Sequence, residues 1–362
     1  MSPDSVAWEL PRRALRIAAS SGYPDPDILR ESAEAAIRSL SSDTPELRPP
    51  ASSKAPGGLV RVSTPYVLLI PDLHARSGLL ADLLRSPAPI PGQAPILDLV
   101  IGGELTLICL GDILHTEGRL GAGRWTRAAK RLAEAGGPGG ILSGEMDTEM
   151  GASLWALLLV MMLKAELGGG FHCLKGNHDN LGNREGGGDL PFHKYALEGA
   201  MGAEWFRLRY GEELMGTVRV YERLLPVAAA GHGFCASHAE PGFALGPADL
   251  LEYGSRDDVV RALIWTGNGE AESGAVERSL SAILGSGEAA RKAFWISGHR
   301  PVPGAYAWRA AGRLLQIHNP ERRQVAWLDN RPGTGSRSVE IHEVAEGGGT
   351  LRLLAAAVPP PS

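Results

Sequence analysis

Short apolar runs in this chain end repeatedly on the residue types that bind divalent cations. Asp72-x-His74 follows YVLLIP, Gly111-Asp112 follows LTLICL, Gly176-Asn177-His178-Asp179 follows FHCLK, Ser237-His238 follows GFCA, and Gly298-His299 follows FWIS. Carboxylates, imidazoles and an amide oxygen suit Mn, Fe, Zn or Mg, whereas structural zinc sites favour thiolates. Two cations about 3.5–4 Å apart need one ligand that touches both, and a carboxylate does this best. Asp112 is the candidate for that bridge. Glycines before Asp112, Asn177 and His299 let the backbone turn sharply beside the ions. A single histidine of this kind is more often a satisfied core or surface residue. The recurrence of the pattern along the chain is what argues for a metal site.

These residues need elements that bring them together. Buried strands that deliver ligands at their carboxyl ends are the device of α/β proteins, and the chain reads as strand, polar loop and helix, repeated from residue 59 onward. VRVSTPYVLLI reads as a strand, ASLWALLLVMMLKAEL as a buried helix, and a further helix is expected around Trp125–Ala135. GRLLQIHN, RQVAWLD, SVEIHEV and TLRLLAAAV read as antiparallel strands. GGPGG and the glycine triplets at 168–170 and 186–188 read as loop tips, not as phosphate loops opening a helix. Residues 1–40 read as two short helices split at Pro24 and Pro26, and residues 41–58 as a Pro/Ser/Ala/Gly-rich linker.

Composition narrows the function. The 362 residues are 44% hydrophobic and 21% charged, enough to bury a substantial core. A net charge of -5 argues against a general nucleic-acid coat or stable nucleic-acid binding, and leaves room for a local basic pocket. Cys109, Cys173 and Cys235 each lie in an apolar run before a metal loop, so they read as buried free thiols suited to a reducing cytoplasm. The first residues lack a basic-then-apolar signal layout, and the apolar run Leu154–Leu163 is shorter than the ~20 residues a membrane span needs. A cytoplasmic protein without a membrane segment is the expectation.

The order D-x-H, GD, GNHD, H and GH resembles the calcineurin-like metallophosphoesterases. LLLVMMLKAELGGGFHCLKGNHD and RALIWTGNGE look closest to the phosphoprotein phosphatase branch, and GNHDNLGNREGGGD is similar to its bacterial, Shewanella-like subgroup. Pro301 stands where other branches carry the second histidine of a Gly-His-x-His ending. The resemblance covers about residues 60–330. It implies an α/β sandwich of two mixed β-sheets flanked by helices; residues 59–362 are read as the metallophosphoesterase domain, behind a helical extension and linker at 1–58 that has no counterpart in the resemblance.

The resemblance also implies a site. One divalent ion would be held by Asp72, His74 and Asp112, the other by Asp112, Asn177, His238 and His299, with a bridging hydroxide attacking phosphorus in line. His178 would protonate the leaving oxygen. The implied reaction is phosphomonoester hydrolysis, on a phosphoprotein or another phosphorylated substrate. Hydrolysis of nucleotides or dinucleoside polyphosphates uses nearly the same metal set, and a phosphate-binding scaffold without turnover is the remaining reading.

The chain departs from the family pattern at one segment. Where the family has GDxxDRG, residues 111–117 read GDILHTE, so His115 replaces the aspartate that orients the acid histidine and Thr116 replaces the phosphate-binding arginine. Glu117 is the candidate to orient His178. Arg119 or Arg124 is the candidate to bind phosphate, with Arg184 and Arg300 beside other metal loops. His318, in LLQIHNP, supports a ligand or merely ends a strand. His232 competes with His238 as a ligand, and the strand-end layout favours His238.

Overall fold

The computed structural model describes residues 3–135, 137–285, 287, 291–332 and 338–360. Two helices open it, α1 (Pro3–Ala18) and α2 (Pro26–Ser41), and Pro26 at the first turn of α2 is compatible with a helix start. Asp25 caps α2 by accepting the Asp27 N–H. There follow β1 (Leu59–Arg61), β2 (Tyr66–Ile70), α3 (Ser77–Leu84), α4 (Ile96–Ile101), β3 (Leu105–Cys109), α5 (Gly118–Ala135), α6 (Gly137–Ile141), α7 (Gly144–Leu167) and β4 (Phe171–Cys173). The second half holds α8 (Glu198–Leu224), β5 (Ala228–Gly231), β6 (Phe234–Ser237), α9 (Pro247–Leu251), α10 (Asp257–Ile264), α11 (Ala275–Leu284), β7 (Phe294–Ser297) and β8 (Ala307–Arg309). It closes with β9 (Leu314–Gln316), β10 (Gln324–Asp329), β11 (Val339–Val344) and β12 (Leu351–Ala357).

Among the described residues the strands form two six-stranded sheets, ordered β1-β5-β6-β7-β9-β8 and β12-β11-β10-β2-β3-β4. Each contains a parallel triplet, β6-β7-β9 in the first and β2-β3-β4 in the second, with antiparallel strands beside it. Alternation along the strands builds the layers. Val67 and Leu69 face the opposite sheet, where they meet the cluster of Phe234, Ala236, Ile296 and Leu315. Leu68 and Ile70, on the other face of β2, pack under the helices that include α7. Ala228, Cys235 and Trp295 face outward onto Leu250, Val259 and Leu263 of α9 and α10. The expected sandwich of two mixed sheets flanked by helices is therefore what forms. All three cysteines are buried and unpaired.

From Leu157 to Leu163, α7 is apolar on all sides because it is covered on all sides. Its length and composition would suffice for a membrane span, but its residues from Leu157 to Leu163 lie in the core. α2 packs on α7 and α8, and α1 on α3, α4 and α7. Leu10, Ala14, Leu29, Ala33, Ala36 and Leu40 are buried in the same cluster as α7. Polar bonds tie the following loop down. Lys164 Nζ lies 2.7 Å from Asp43 Oδ1, and the buried Arg48 guanidinium donates to the Gly57 and Leu224 carbonyls at 2.6 Å each.

Three local expectations differ. Residues 59–70 form two strands in different sheets rather than one, because Pro65, which has no N–H, lies between them. β9 pairs in parallel with β7 and antiparallel only with β8, whereas β10, β11 and β12 are antiparallel as expected. Two of the glycine tips are helical instead: residues 137–141, which overlap GGPGG, turn as the short helix α6, and Gly168–Gly170 as a single 3-10 turn.

Candidate metal centre

All the ligand loops leave the carboxyl ends of the two parallel triplets. Asp72 and His74 follow β2, Asp112 follows β3, and Asn177 and His178 follow β4. From the facing sheet, His238 follows β6 and His299 follows β7. The loops are held in costly conformations. His74, Asp112, His115 and His299 all adopt left-handed backbone, with φ of 42°, 50°, 65° and 59°. Gly298 is required by crowding: a Cβ there would fall 1.8 Å from Asp72 Oδ1. That is a different reason from the sharp turn expected of it.

The side chains converge as two sets of acceptor atoms. In the first, His74 Nδ1 lies 2.9 Å from the His115 carbonyl and so carries the proton, which leaves Nε2 without a hydrogen bond, 3.2 Å from Glu117 Oε2 and 3.5 Å from Asp112 Oδ2. In the second, His238 Nδ1 donates to the Leu110 carbonyl at 2.9 Å, leaving Nε2 bare. That nitrogen lies 2.9 Å from Asn177 Oδ1, 3.2 Å from His299 Nδ1 and 3.4 Å from Asp112 Oδ2. Asp112 Oδ2 therefore faces both sets, while its Oδ1 accepts the His178 N–H at 2.8 Å. Buried Asp72 Oδ1 and His299 Nε2 have no hydrogen-bond partner. Lone pairs crowded together with so few protons between them are what a cation site offers, so these residues fit divalent ions.

Electrostatics point the same way. Burial, then Asp112 and Glu117, push the Asp72 carboxyl well above the usual range, and burial pushes Asp112 up to about 7. Burial moves His238 down to about 4, and burial with His238 holds His299 well below its ordinary value. Neutral imidazoles beside reluctant carboxylates are a set that a cation would reorder, by favouring the ionised acids.

The loop scaffold rests on Asp179, the last residue of GNHD. Its carboxylate accepts the N–H groups of Asp112 (3.0 Å), Ile113 (2.9 Å) and Gly176 (2.8 Å), tying the β3 and β4 loops together. Lys175 supports it by donating to the Asp179 carbonyl at 2.8 Å. Neither role was assigned from the sequence, although a charged residue directly after Asn-His in a buried loop was the available signal.

This architecture has a solved counterpart. A protein serine/threonine phosphatase from Saccharomyces cerevisiae, described as similar to human phosphatase PP5, aligns with a TM-score of 0.54 at 13% identity, over 90% of this chain and 91% of that one. The fold is the calcineurin-like one. A cold-active protein-tyrosine phosphatase of a psychrophilic Shewanella species also aligns, at 12% identity over 82% of each chain, with a TM-score of 0.40 that carries no argument. No protein-family model matches the chain, and no curated protein matches it.

Around this calcineurin-like frame the other predicted residues divide. His178 packs on Phe192, ring centres 4.2 Å apart, and lies 5.5 Å from the His115 ring. Its buried Nδ1 has no partner, and burial with His74 and His115 holds the imidazole well below its usual range. The structure hydrogen-bonds Glu117 to His318 at 2.7 Å and to Lys194, and no bond joins it to His178 among the described residues. Burial works against that carboxylate, but the hydrogen bond from His318 and the Lys194 ammonium hold it below its ordinary value. Arg119 lines a cavity of about 300 Å³ beside the first set, with Arg76, Arg124, His74, Thr116 and Glu117. Arg300 is exposed next to His299. Arg184 lines a separate crevice with Asn180, Arg219 and Arg223, and its guanidinium lies 3.8 Å from Glu212. His232 sits in the β5–β6 turn, away from both sets, with its N–H on Asn330 Oδ1. His318, read from the sequence as supporting a ligand or merely ending a strand, lies buried beside Asp72 and His74.

Proposed function

We propose that this chain is a metal-dependent phosphoesterase that hydrolyses phosphomonoesters, with phosphoproteins as the leading substrate class. One observation carries the reading: a single carboxylate oxygen, Asp112 Oδ2, lies 3.5 Å from His74 Nε2 and 3.4 Å from His238 Nε2, between two sets of bare acceptors. Asp72, His74 and Asp112 would hold one divalent ion, and Asp112, Asn177, His238 and His299 the other. Ions so held supply Lewis acidity toward phosphoryl oxygen and a water of lowered pKa.

The chain's own residues supply binding and proton transfer. Arg119 and Arg124 line the cavity beside the first set, where guanidinium forks match phosphate oxygens. The cavity, at about 300 Å³, is at the small end of ligand pockets. His178 is placed by its N–H on Asp112 Oδ1 and by Phe192, and it is assigned to protonate the leaving oxygen. No carboxylate pairs with it among the described residues, so the charge that stabilises its imidazolium would be the bound phosphate dianion itself.

The test is a turnover screen of the metal-loaded protein against phosphopeptides, nucleoside monophosphates and dinucleoside polyphosphates. The expected result is release of inorganic phosphate from phosphopeptides. Turnover confined to dinucleoside polyphosphates would replace the proposal with a nucleotide hydrolase, and none at full metal occupancy would leave a phosphate-binding scaffold.

A further inference from the structure

We infer that His318 is a further ligand of the first ion, through Nδ1, and that Glu117 is the positioning residue that holds it in the ligating tautomer. The inference rests on the two-ion reading above. It departs from the sequence-based role for Glu117, which paired this carboxylate with His178.

His318 comes two residues after β9, the third strand of the parallel triplet whose other members deliver His238 and His299. Its side chain is fully buried. Nε2 lies 2.7 Å from Glu117 Oε2, a distance that requires a proton between them, and the other carboxylate oxygen already accepts from Lys194. The proton is therefore on Nε2, and Nδ1 carries a lone pair. That Nδ1 is buried without any hydrogen-bond partner and lies 3.7 Å from Asp72 Oδ2, too far for a hydrogen bond. The opposite tautomer would set a bare nitrogen against a carboxylate at 2.7 Å and leave the Nδ1 proton unbonded.

The lone pair points into a group that already offers ligands. Acceptor atoms of Asp72, His74 and His318 all lie within 4.8 Å of one another, close enough to share one cation. An imidazole whose other nitrogen donates to a carboxylate is the arrangement by which proteins orient histidine ligands. Lys194, in turn, pairs with Glu117 and holds it in place. The two substitutions in GDILHTE thus coincide with a rewired segment: the carboxylate it carries serves His318, from the facing sheet, instead of His178.

The test is calorimetric titration of the chelated protein with Mn²⁺, for wild type, His318→Gln, His318→Ala and Glu117→Gln. Wild type should take up two ions per chain. His318→Ala should weaken one of them by about 100-fold and Glu117→Gln by about 10-fold, the range seen when ligand-supporting groups are removed, with the other ion retained. The retained ion also shows that the variant is folded. Two ions bound equally well in both His318 variants would overturn the inference and leave the two-ion reading standing. A wild type that binds none would overturn both. Should the variants fail to fold, ¹⁵N–¹H correlation spectra of the histidine rings in wild type decide the matter. On Zn²⁺ addition the His318 Nδ1 resonance should move with those of the other ligating nitrogens, and an unmoved Nδ1 beside shifted His74, His238 and His299 would overturn the assignment.

Discussion

Asp112 offers one oxygen to a backbone N–H and the other to two histidines at once, so an amide in its place would keep the first contact and lose the charge behind the second. Asp112→Asn should lower both ion occupancy and turnover, turnover by at least about 100-fold, since even supporting groups of a metal site are worth 10–100-fold. Metal analysis that finds two tightly held ions in the variant would contradict the bridging role. His178→Ala should cost about 10²–10⁴-fold on alkyl phosphates and little on nitrophenyl phosphate, whose leaving group scarcely needs a proton, with ion content unchanged. Equal losses on both substrates would remove the acid assignment. The convergence of the residues from Asp72 to His299 was legible because each stands a few residues after an apolar strand. The Glu117–His318 bond was not, because it joins residues 201 positions apart and no local spacing encodes it. For Arg184, proximity to GNHD in sequence does not set where a long side chain turns, and this one turns toward Glu212.

At the scale of elements, the two parallel triplets deliver the loops and Asp179 clamps those after β3 and β4. Asp179→Ala would strand three buried donors, N–H groups of Asp112, Ile113 and Gly176. Each stranded donor costs about 1–3 kcal/mol, partly offset by removing a buried carboxyl, so urea unfolding should show a net loss of about 2 kcal/mol or more. A change within about 0.5 kcal/mol, the scale of an ordinary surface substitution, would show that the clamp is not structural. Strand identity was readable from apolar runs, while strand partners were not. LLQ in β9 carries no mark of running parallel to β7, because that pairing depends on where the chain re-enters the sheet. The break at Pro65 was readable in principle, since a proline with no N–H cannot continue a sheet interior.

At the scale of the molecule, the helical layer that includes α1 and α2 backs one sheet, α9–α11 back the other, and the metal loops gather where the carboxyl ends of both triplets meet. Burial pushes the Asp72 and Asp112 carboxyls up, and the charge of Glu117 adds to both, so a cation bound there favours the folded chain near neutral pH. Chelation should therefore lower Tm, and restoring ions at a hundred times their Kd should return about 2.7 kcal/mol per site. A Tm unmoved by chelator would mean that the acids are satisfied without a cation. The most direct test of the central claim is to titrate Mn²⁺ into chelated protein while following both bound metal and nitrophenyl phosphate hydrolysis. Turnover should start near zero, rise with the ions and level off at two per chain. Undiminished turnover in the chelated protein, or none once two ions are bound, would contradict it.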